Sequence, residues 1–198
     1  MGGTVRLSRE RIVGQAVALL GGQGLGGLTM RRLADDLGVR PGALYYHVPS
    51  KQDLLVDVAV RILDDAPDPV PTDDPREAAI ALRAALLAVR DGAELVSFAF
   101  AFRPEALGPL RDLRDAFDDR LSERRAGWAA RTLVHYVLGF VAEEQNHAEL
   151  VRTGIVADGA GRSRDDDAEA FHFGVAAIVS GLSTDPEALG PAPGTGRS

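Results

Sequence analysis

The residues best suited to act on a charged ligand cluster near the start of the chain. Arg31 and Arg32 are followed by Arg40, then by Tyr45, Tyr46 and His47, and then by Lys51. This segment presents guanidinium, hydroxyl, imidazole and ammonium donors, the set that meets phosphate oxygens and base edges. Gly42 and Ala43 between them leave room for close approach. Further along, His135 with Glu143 and Glu144 supplies an imidazole and carboxylates, the raw material of acid–base catalysis. No nucleophile elbow, glycine-rich phosphate loop or HExxH pattern accompanies them, and positions 135 and 143 share a helix face that structure alone can produce. The chain has no cysteine, so thiolate nucleophiles, thiolate zinc sites and disulfides are excluded. Binding rather than catalysis is expected, with no catalytic residues.

The elements that must position these groups are read from composition and periodicity. A chain of 198 residues that is 45% hydrophobic and 26% charged can bury a core and suits one domain or two small ones. Its net charge of −7 argues against a polyanionic partner until the distribution is considered. Residues 1–63 carry +3 and the remainder −10, which describes a small basic head on an acidic body. The start, Met1 to Arg6, has no apolar leader, and no run of 18 apolar residues occurs. Secretion and a membrane partner are therefore not expected, and the cytoplasm is the expected location.

Along the chain the apolar spacing is helical throughout, with no alternating strand pattern and no internal repeat. Ile12, Ala16, Leu19 and Leu20 mark a helix from about Ser8, its cap, to Gln23, ended by Gly21, Gly22 and Gly24. Thr29 caps a second helix that Gly38 closes, and Pro41 opens the short segment Pro41 to His47. Ser50 and Asp53 form a capping-box pattern ahead of Leu54, Leu55, Val58 and Ile62. Four prolines and five acids between Asp64 and Pro75 mark a linker. A stripe from Ala78 to Val89 follows, then an apolar run from Glu94 to Phe102 that reads as strand or buried helix, helix being favoured by its neighbours. An amphipathic piece runs from Leu107 through Leu121, and the longest pattern spans Ala126 to Arg152. Gly154 to Asp167 reads as a loop, and residues 168–182 as a last helix. The expected fold is all-α. The expected organisation is a basic four-helix head at 1–63, a Pro/Asp-rich linker at 64–75, a larger helical body at 76–183 and a flexible tail at 184–198.

The second helix, the turn Gly38-Val39-Arg40 and the third helix have the proportions of a helix-turn-helix, whose second helix enters the DNA major groove. Arg40 at the N-cap opposes the helix dipole and forgoes a side-chain cap worth about 1 kcal/mol, which makes sense if it meets an anion or a guanine edge. Thr29-Met30-Arg31-Arg32-Leu33-Ala34, with Leu37-Gly38-Val39, Pro41 to Val48 and Ser50 to Leu55, resembles the DNA-binding domain of the TetR family of bacterial repressors. The body continues the likeness to its tetracycline-repressor branch through Arg90-Asp91-Gly92-Ala93, Arg103-Pro104, His135 to Gly139, Glu143-Glu144-Gln145 and Phe171 to Gly174. The resemblance implies a homodimer built on the last two major helices, a double-stranded palindromic operator and a small-molecule effector. Expected DNA contacts are Thr29, Arg31, Arg40, Pro41, Ala43, Tyr45, Tyr46, His47 and Lys51.

In that branch the drug binds as a magnesium chelate through a histidine shortly after the Arg-Asp-Gly-Ala segment, and here the position is Val96. His135 and Glu143 match pocket positions but lack a third protein ligand, so neither a metal site nor a cofactor is expected. The expected effector contacts are Leu82, Leu86, Val96, Phe100, Arg103, Pro104, Phe117, Trp128, His135 and Glu143, a lining suited to an aromatic or polycyclic compound. The competing reading is a helical adaptor that binds protein, which would show no salt-dependent binding to duplex DNA.

Overall fold

The computed structural model describes residues 6–66, 73–118, 121–157 and 163–182, apart from the side chains of Asp112, Asp118 and Arg164. The tail 184–198 and linker residues 67–72 lie outside the described residues. Among those described, every regular element is helical.

The head comprises α1 (Arg9–Gly27), α2 (Met30–Leu37), α3 (Pro41–His47) and α4 (Lys51–Asp64). Its boundaries are set by local chemistry. Ser8 accepts the Arg11 amide at 3.3 Å, Thr29 the Arg32 amide at 3.2 Å and Ser50 the Asp53 amide at 3.0 Å, each filling one open donor of a first turn. The Asp53 carboxylate reaches back to the Ser50 hydroxyl, 2.6 Å away, rather than to its backbone amide. Arg40 stands at the N-cap of α3 with no side-chain cap bond.

One head boundary differs from the sequence expectation. Gly21 and Gly22 do not end α1, which runs to Gly27 with a break at Gly24 (φ 71°, ψ 178°). A side chain there would be strained, and its Cβ would lie 2.5 Å from the Asp91 carboxylate. The break frees the Leu25 amide to donate to Asp91 Oδ2 at 2.7 Å, which ties α1 to the body.

The body comprises α5 (Pro75–Leu87), α6 (Gly92–Phe102), α7 (Gly108–Asp112), α8 (Asp115–Asp118), α9 (Glu123–Arg152) and α10 (Arg164–Leu182). The apolar run ending at Phe102 is thus a helix, with Leu95, Val96 and Ala99 buried. The segment read as one amphipathic piece from Leu107 to Leu121 is instead a 3₁₀ turn (Pro104–Ala106) followed by the short α7 and α8. Pro109 near the start of α7 cannot continue a helix from upstream, yet Leu107, Leu110, Leu113 and Phe117 are all buried as their spacing required. The last helix starts four residues earlier than its apolar pattern, because the Ser163 hydroxyl accepts the Asp166 amide at 3.0 Å.

α6 lies between α4 of the head and α9 of the body, and α5 packs on α9 and α10. The Gln145 side chain on α9 stitches the α5–α6 turn: it donates to the carbonyls of Leu86 (3.0 Å) and Val89 (2.8 Å) and accepts from the Ala93 amide (3.1 Å). Each carbonyl also accepts a backbone amide, Leu86 from Val89 at 3.4 Å and Val89 from Gly92 at 3.0 Å, so the Gln145 amide adds a second bond to both and fixes the turn. Arg83 on α5 is ion-paired with Glu144 and lies 5.0 Å over the Phe171 ring, joining α5, α9 and α10. Burial pushes the Tyr136 phenol up, keeping it a donor to the Phe171 carbonyl at 3.2 Å. At the other end of α6, Arg103 bonds Asp53 of α4 at 2.8 Å.

The two glycines Gly21 and Gly92 should respond in opposite directions to alanine. Gly21 sits mid-helix in open space, so Gly21→Ala should raise the unfolding free energy by about 0.5–1 kcal/mol. A Cβ on the buried Gly92 would stand 2.5 Å from the Leu86 carbonyl oxygen, so Gly92→Ala should lower it by about 1–3 kcal/mol. Urea midpoints at equal slope measure both.

Asp53 yields a pH prediction. The Ser50 hydroxyl first, and the Arg103 guanidinium after it, hold its carboxyl below the ordinary value against the opposing effect of burial. A carboxyl with a depressed folded-state pKa stabilises the fold above its unfolded-state pKa, and the contribution fades as pH falls through the folded-state value. Asp53→Asn should therefore cost stability at neutral pH, with the deficit shrinking through the carboxylate range on acidification. Urea unfolding of both chains across that range is the check, and a deficit independent of pH would contradict it.

Candidate nucleic-acid interface and effector groove

α2 closes at Gly38 (φ 68°), and the turn through Val39 and Arg40 delivers the chain to Pro41 at the first position of α3. α3 turns Leu44 fully into the core, with Val48 buried just beyond it. The opposite side is open: Tyr45 is 48% exposed and Tyr46 88% exposed, far more than a packing role for a tyrosine needs. The Tyr46 and His47 rings meet edge-on at 5.2 Å. Pro41 and Gly42 are exposed and Ala43 is half-buried, so the first turn of α3 is slender. Thr29 is exposed but its oxygen already serves as the cap of α2.

The cations divide into two groups. Arg9 is bidentate to Asp57 at 2.7 Å, Arg61 bonds Asp65 at 2.5 Å, and Arg103 bonds Asp53. Arg31, Arg32, Arg40 and Lys51 are all exposed, and among the described residues none has an intramolecular ion-pair partner. These four bracket α3 in the chain. Paired guanidiniums have their charge compensated at home, whereas the unpaired set projects a net positive field around the helix with the exposed tyrosines.

The residues expected around an effector are not gathered at one cavity. Leu82, Leu86, Val96 and Phe117 are wholly buried core residues. Trp128 is 55% exposed, with the Arg124 guanidinium 4.7 Å above its ring. Arg103 is held by Asp53, and Pro104 is exposed in the 3₁₀ turn. Glu143 is exposed on α9. Phe100 and His135 do come together, edge-on at 5.8 Å.

His135 also lines a groove of about 460 Å³ between α6 and α9. Ala93, Glu94 and Ser97 form its α6 wall, and Gly139, Ala142 and Asn146 continue its α9 wall from His135. Ala93 and Gly139 stand in segments that carry the family resemblance, but of these positions only His135 was an expected effector contact. Their signal was present: 135, 139, 142 and 146 recur at helical spacing, but Gly139 and Ala142 are too small to stand out from a helix surface. Among the described residues, no three His, Asp or Glu side chains gather as a metal site, and no helix is long and apolar enough to cross a membrane.

Comparison with known proteins agrees with this geometry. Residues 12–58 match the family model of bacterial regulatory proteins, tetR family. The chain is 32% identical over 193 residues to tetracycline repressor protein class E of Escherichia coli, covering 90% of this chain and 92% of that one. Its fold matches Mycobacterium smegmatis BioQ with a TM-score of 0.77 at 37% identity, over 90% of this chain and 98% of the other. BioQ bound to its natural double-stranded DNA operator matches with a TM-score of 0.73 at 35% identity, over 91% and 100% of the two chains. A substituted TetR of Acinetobacter baumannii AYE in complex with minocycline matches with a TM-score of 0.72 at 30% identity, over 94% and 100%. A match of 32% identity to a tetracycline repressor over nine-tenths of each chain makes this all-helical chain a member of the tetR family of bacterial regulatory proteins, a DNA-binding regulator and not an enzyme.

Proposed function

We propose that two copies of this chain repress a gene from a palindromic operator and release it when a small aromatic or polycyclic effector occupies the body. The observation that carries the reading is the head's electrostatic asymmetry: the cations bracketing α3 are unpaired while those at Arg9, Arg61 and Arg103 are neutralised. Thr29, Arg31, Arg40, Pro41, Ala43, Tyr45, Tyr46, His47 and Lys51 form the proposed DNA-facing set. A protein-binding adaptor would have no use for that arrangement.

The dimer is supported by α10. Phe173 is 77% exposed beside the exposed Ala176 and Ala177, an apolar strip that a second copy would cover. The two-fold symmetry of such a dimer calls for two half-sites about one helical turn apart or more. The cytoplasm, where the operator DNA lies, is the matching compartment.

The effector reading rests on α6. Its C-terminal half carries Phe98, Phe100 and Phe102, with Phe98 and Phe102 stacked at 5.7 Å, and its N-terminal half forms one wall of the groove. The helix is bonded to the head at both ends, through Asp91 to Leu25 and through Arg103 to Asp53. A ligand that wedges α6 away from α9 must therefore move the head or break those bonds. Phe100 and His135 mark where an aromatic ligand has rings to stack against.

Fluorescence anisotropy with the DNA flanking the chain's own gene, against excess non-specific duplex and with salt varied, tests the reading. Competitor-resistant binding that weakens with salt is the expected outcome, whereas binding no better than random duplex, there and after selection from random DNA, would favour the adaptor. Tyr45→Ala and Lys51→Ala should each weaken operator binding without altering the helical spectrum. Lys51→Ala should also reduce the slope of log K against log salt by about one, while Arg61→Ala leaves affinity unchanged.

Magnesium with tetracycline should fail to release the operator. Val96 is apolar and fully buried, and it offers no ligand where the resemblance places a histidine. Release at micromolar drug in the same anisotropy assay would refute this.

A further inference from the structure

We propose that the groove between α6 and α9 takes an organic cation, an aromatic compound carrying a protonated amine, and that Glu94 selects it. The inference rests on the effector reading above and deepens it by fixing the charge of the compound.

The groove is acidic without compensation. Its lining holds the carboxylates of Asp91 and Glu94, both at the start of α6, and among the described residues no lysine or arginine lines it. Arg90, the neighbour of Asp91, bonds Glu149 at 3.1 Å and stays outside the lining. Two of the polar side chains in the wall are already occupied. Gln145 holds the α5–α6 turn, and Asp91 Oδ2 takes the Leu25 amide at 2.7 Å. Glu94 differs: it is exposed, and its carboxylate has no ion-pair or hydrogen-bond partner among the described residues. The field of a helix N-terminus favours an acid here, yet Asp91 already supplies one at the N-cap.

The two ends of the groove offer different chemistry. Ala93 bonds Gln145 at one end and Phe100 meets His135 at the other, so α6 and α9 run antiparallel along it. Glu94 and Phe100 are six positions apart on α6, about 9 Å along its axis. Between the ends, Gly139 and Ala142 leave a floor without bulk, and the volume of about 460 Å³ suits a fused ring system. Rings toward His135 place a substituent near Glu94. A neutral compound there would strip water from the carboxylate and return nothing, and an anion would meet two negative groups, whereas an ammonium group compensates the charge it covers. Asp91 stands in the same wall, so a cation drawn to both carboxylates competes with the Leu25 amide for the bond between α6 and α1.

Equilibrium dialysis of the full-length chain, without DNA, compares three matched probes: cationic 9-(aminomethyl)anthracene, neutral 9-anthracenemethanol and anionic 9-anthracenecarboxylate. The amine should bind about fivefold or more tighter than the alcohol, with the carboxylate weakest. Glu94→Gln should make amine and alcohol bind alike, and Glu94→Lys should turn the preference toward the carboxylate. Glu105→Gln, at an exposed acid of the 3₁₀ turn outside the groove, should keep the preference for the amine. The proposal is overturned if the amine binds no better than the alcohol or does not saturate, if Glu94→Gln keeps the preference, or if Glu105→Gln removes it. It is equally overturned if Glu94→Gln instead shifts the sedimentation equilibrium between one copy and two, because the second copy would then be what covers the groove. Failure to bind any duplex selectively would defeat the repressor reading and leave this result standing, since no DNA takes part in the dialysis.

Discussion

A seven-residue helix cannot hold its shape in water, because nucleation costs more than two turns of hydrogen bonds return. Everything that α3 does therefore depends on what grips it. It is held by the burial of Leu44 and Val48, and by the closures of its neighbours at Gly38 and Ser50. The grip uses one side of the helix, so the other side is left for polar and aromatic groups that the core does not need. Tyr45 and Tyr46 are exposed for the same reason that Leu44 is buried: the helix is anchored from one face and has no second layer.

The same dependence is passed inward. α4 buries Leu54, Leu55, Val56, Val58, Ala59, Ile62 and Leu63, a set too broad for one neighbour, and it packs on both α1 and α6. α3 packs on α2, α2 on α1 and α1 on α4, so α3 inherits its position through those helices, and α4 rests on α6. α6 in turn is pinned by Asp91 and Arg103 to different helices of the head and by Gln145 to α9. Such a rod cannot translate without changing a hydrogen bond at one end or a salt bridge at the other. Packed interfaces of this kind have a few discrete arrangements rather than a continuum, which is what a switch requires.

The head was legible in the sequence because its boundaries are local. Ser8, Thr29, Gly38, Pro41 and Ser50 each act within four residues of themselves, and each stands where its chemistry placed it. Gly24 was misread, since the partner that explains its break is the distant Asp91. In the body the apolar period through Leu107, Leu110, Leu113 and Phe117 correctly marked burial but not continuity, because short helices and turns can present the same residues inward. The lining of the groove was least legible. Periodicity identifies which side chains avoid water, and Leu82, Leu86, Val96 and Phe117 do so by filling the core. A groove exists where side chains are small or absent, as at Ala93, Gly139 and Ala142, and a pattern search weighted to large residues passes over those positions.

A chain of net charge −7 that binds a polyanion is consistent once distance is considered. At physiological ionic strength a charge is screened within about 8 Å, so the acidic body does little to the field around α3. What the DNA meets is the local balance, and there the intramolecular pairs matter more than the count of arginines. Arg9, Arg61 and, from the body, Arg103 are neutralised by the head acids Asp57, Asp65 and Asp53. That leaves few free cations per copy, so non-specific attraction is weak and one head alone holds DNA poorly. In the proposed dimer, tight binding comes from two heads on one duplex at a fixed spacing. Under that proposal, weakness of the single head lets a small change in spacing release the DNA.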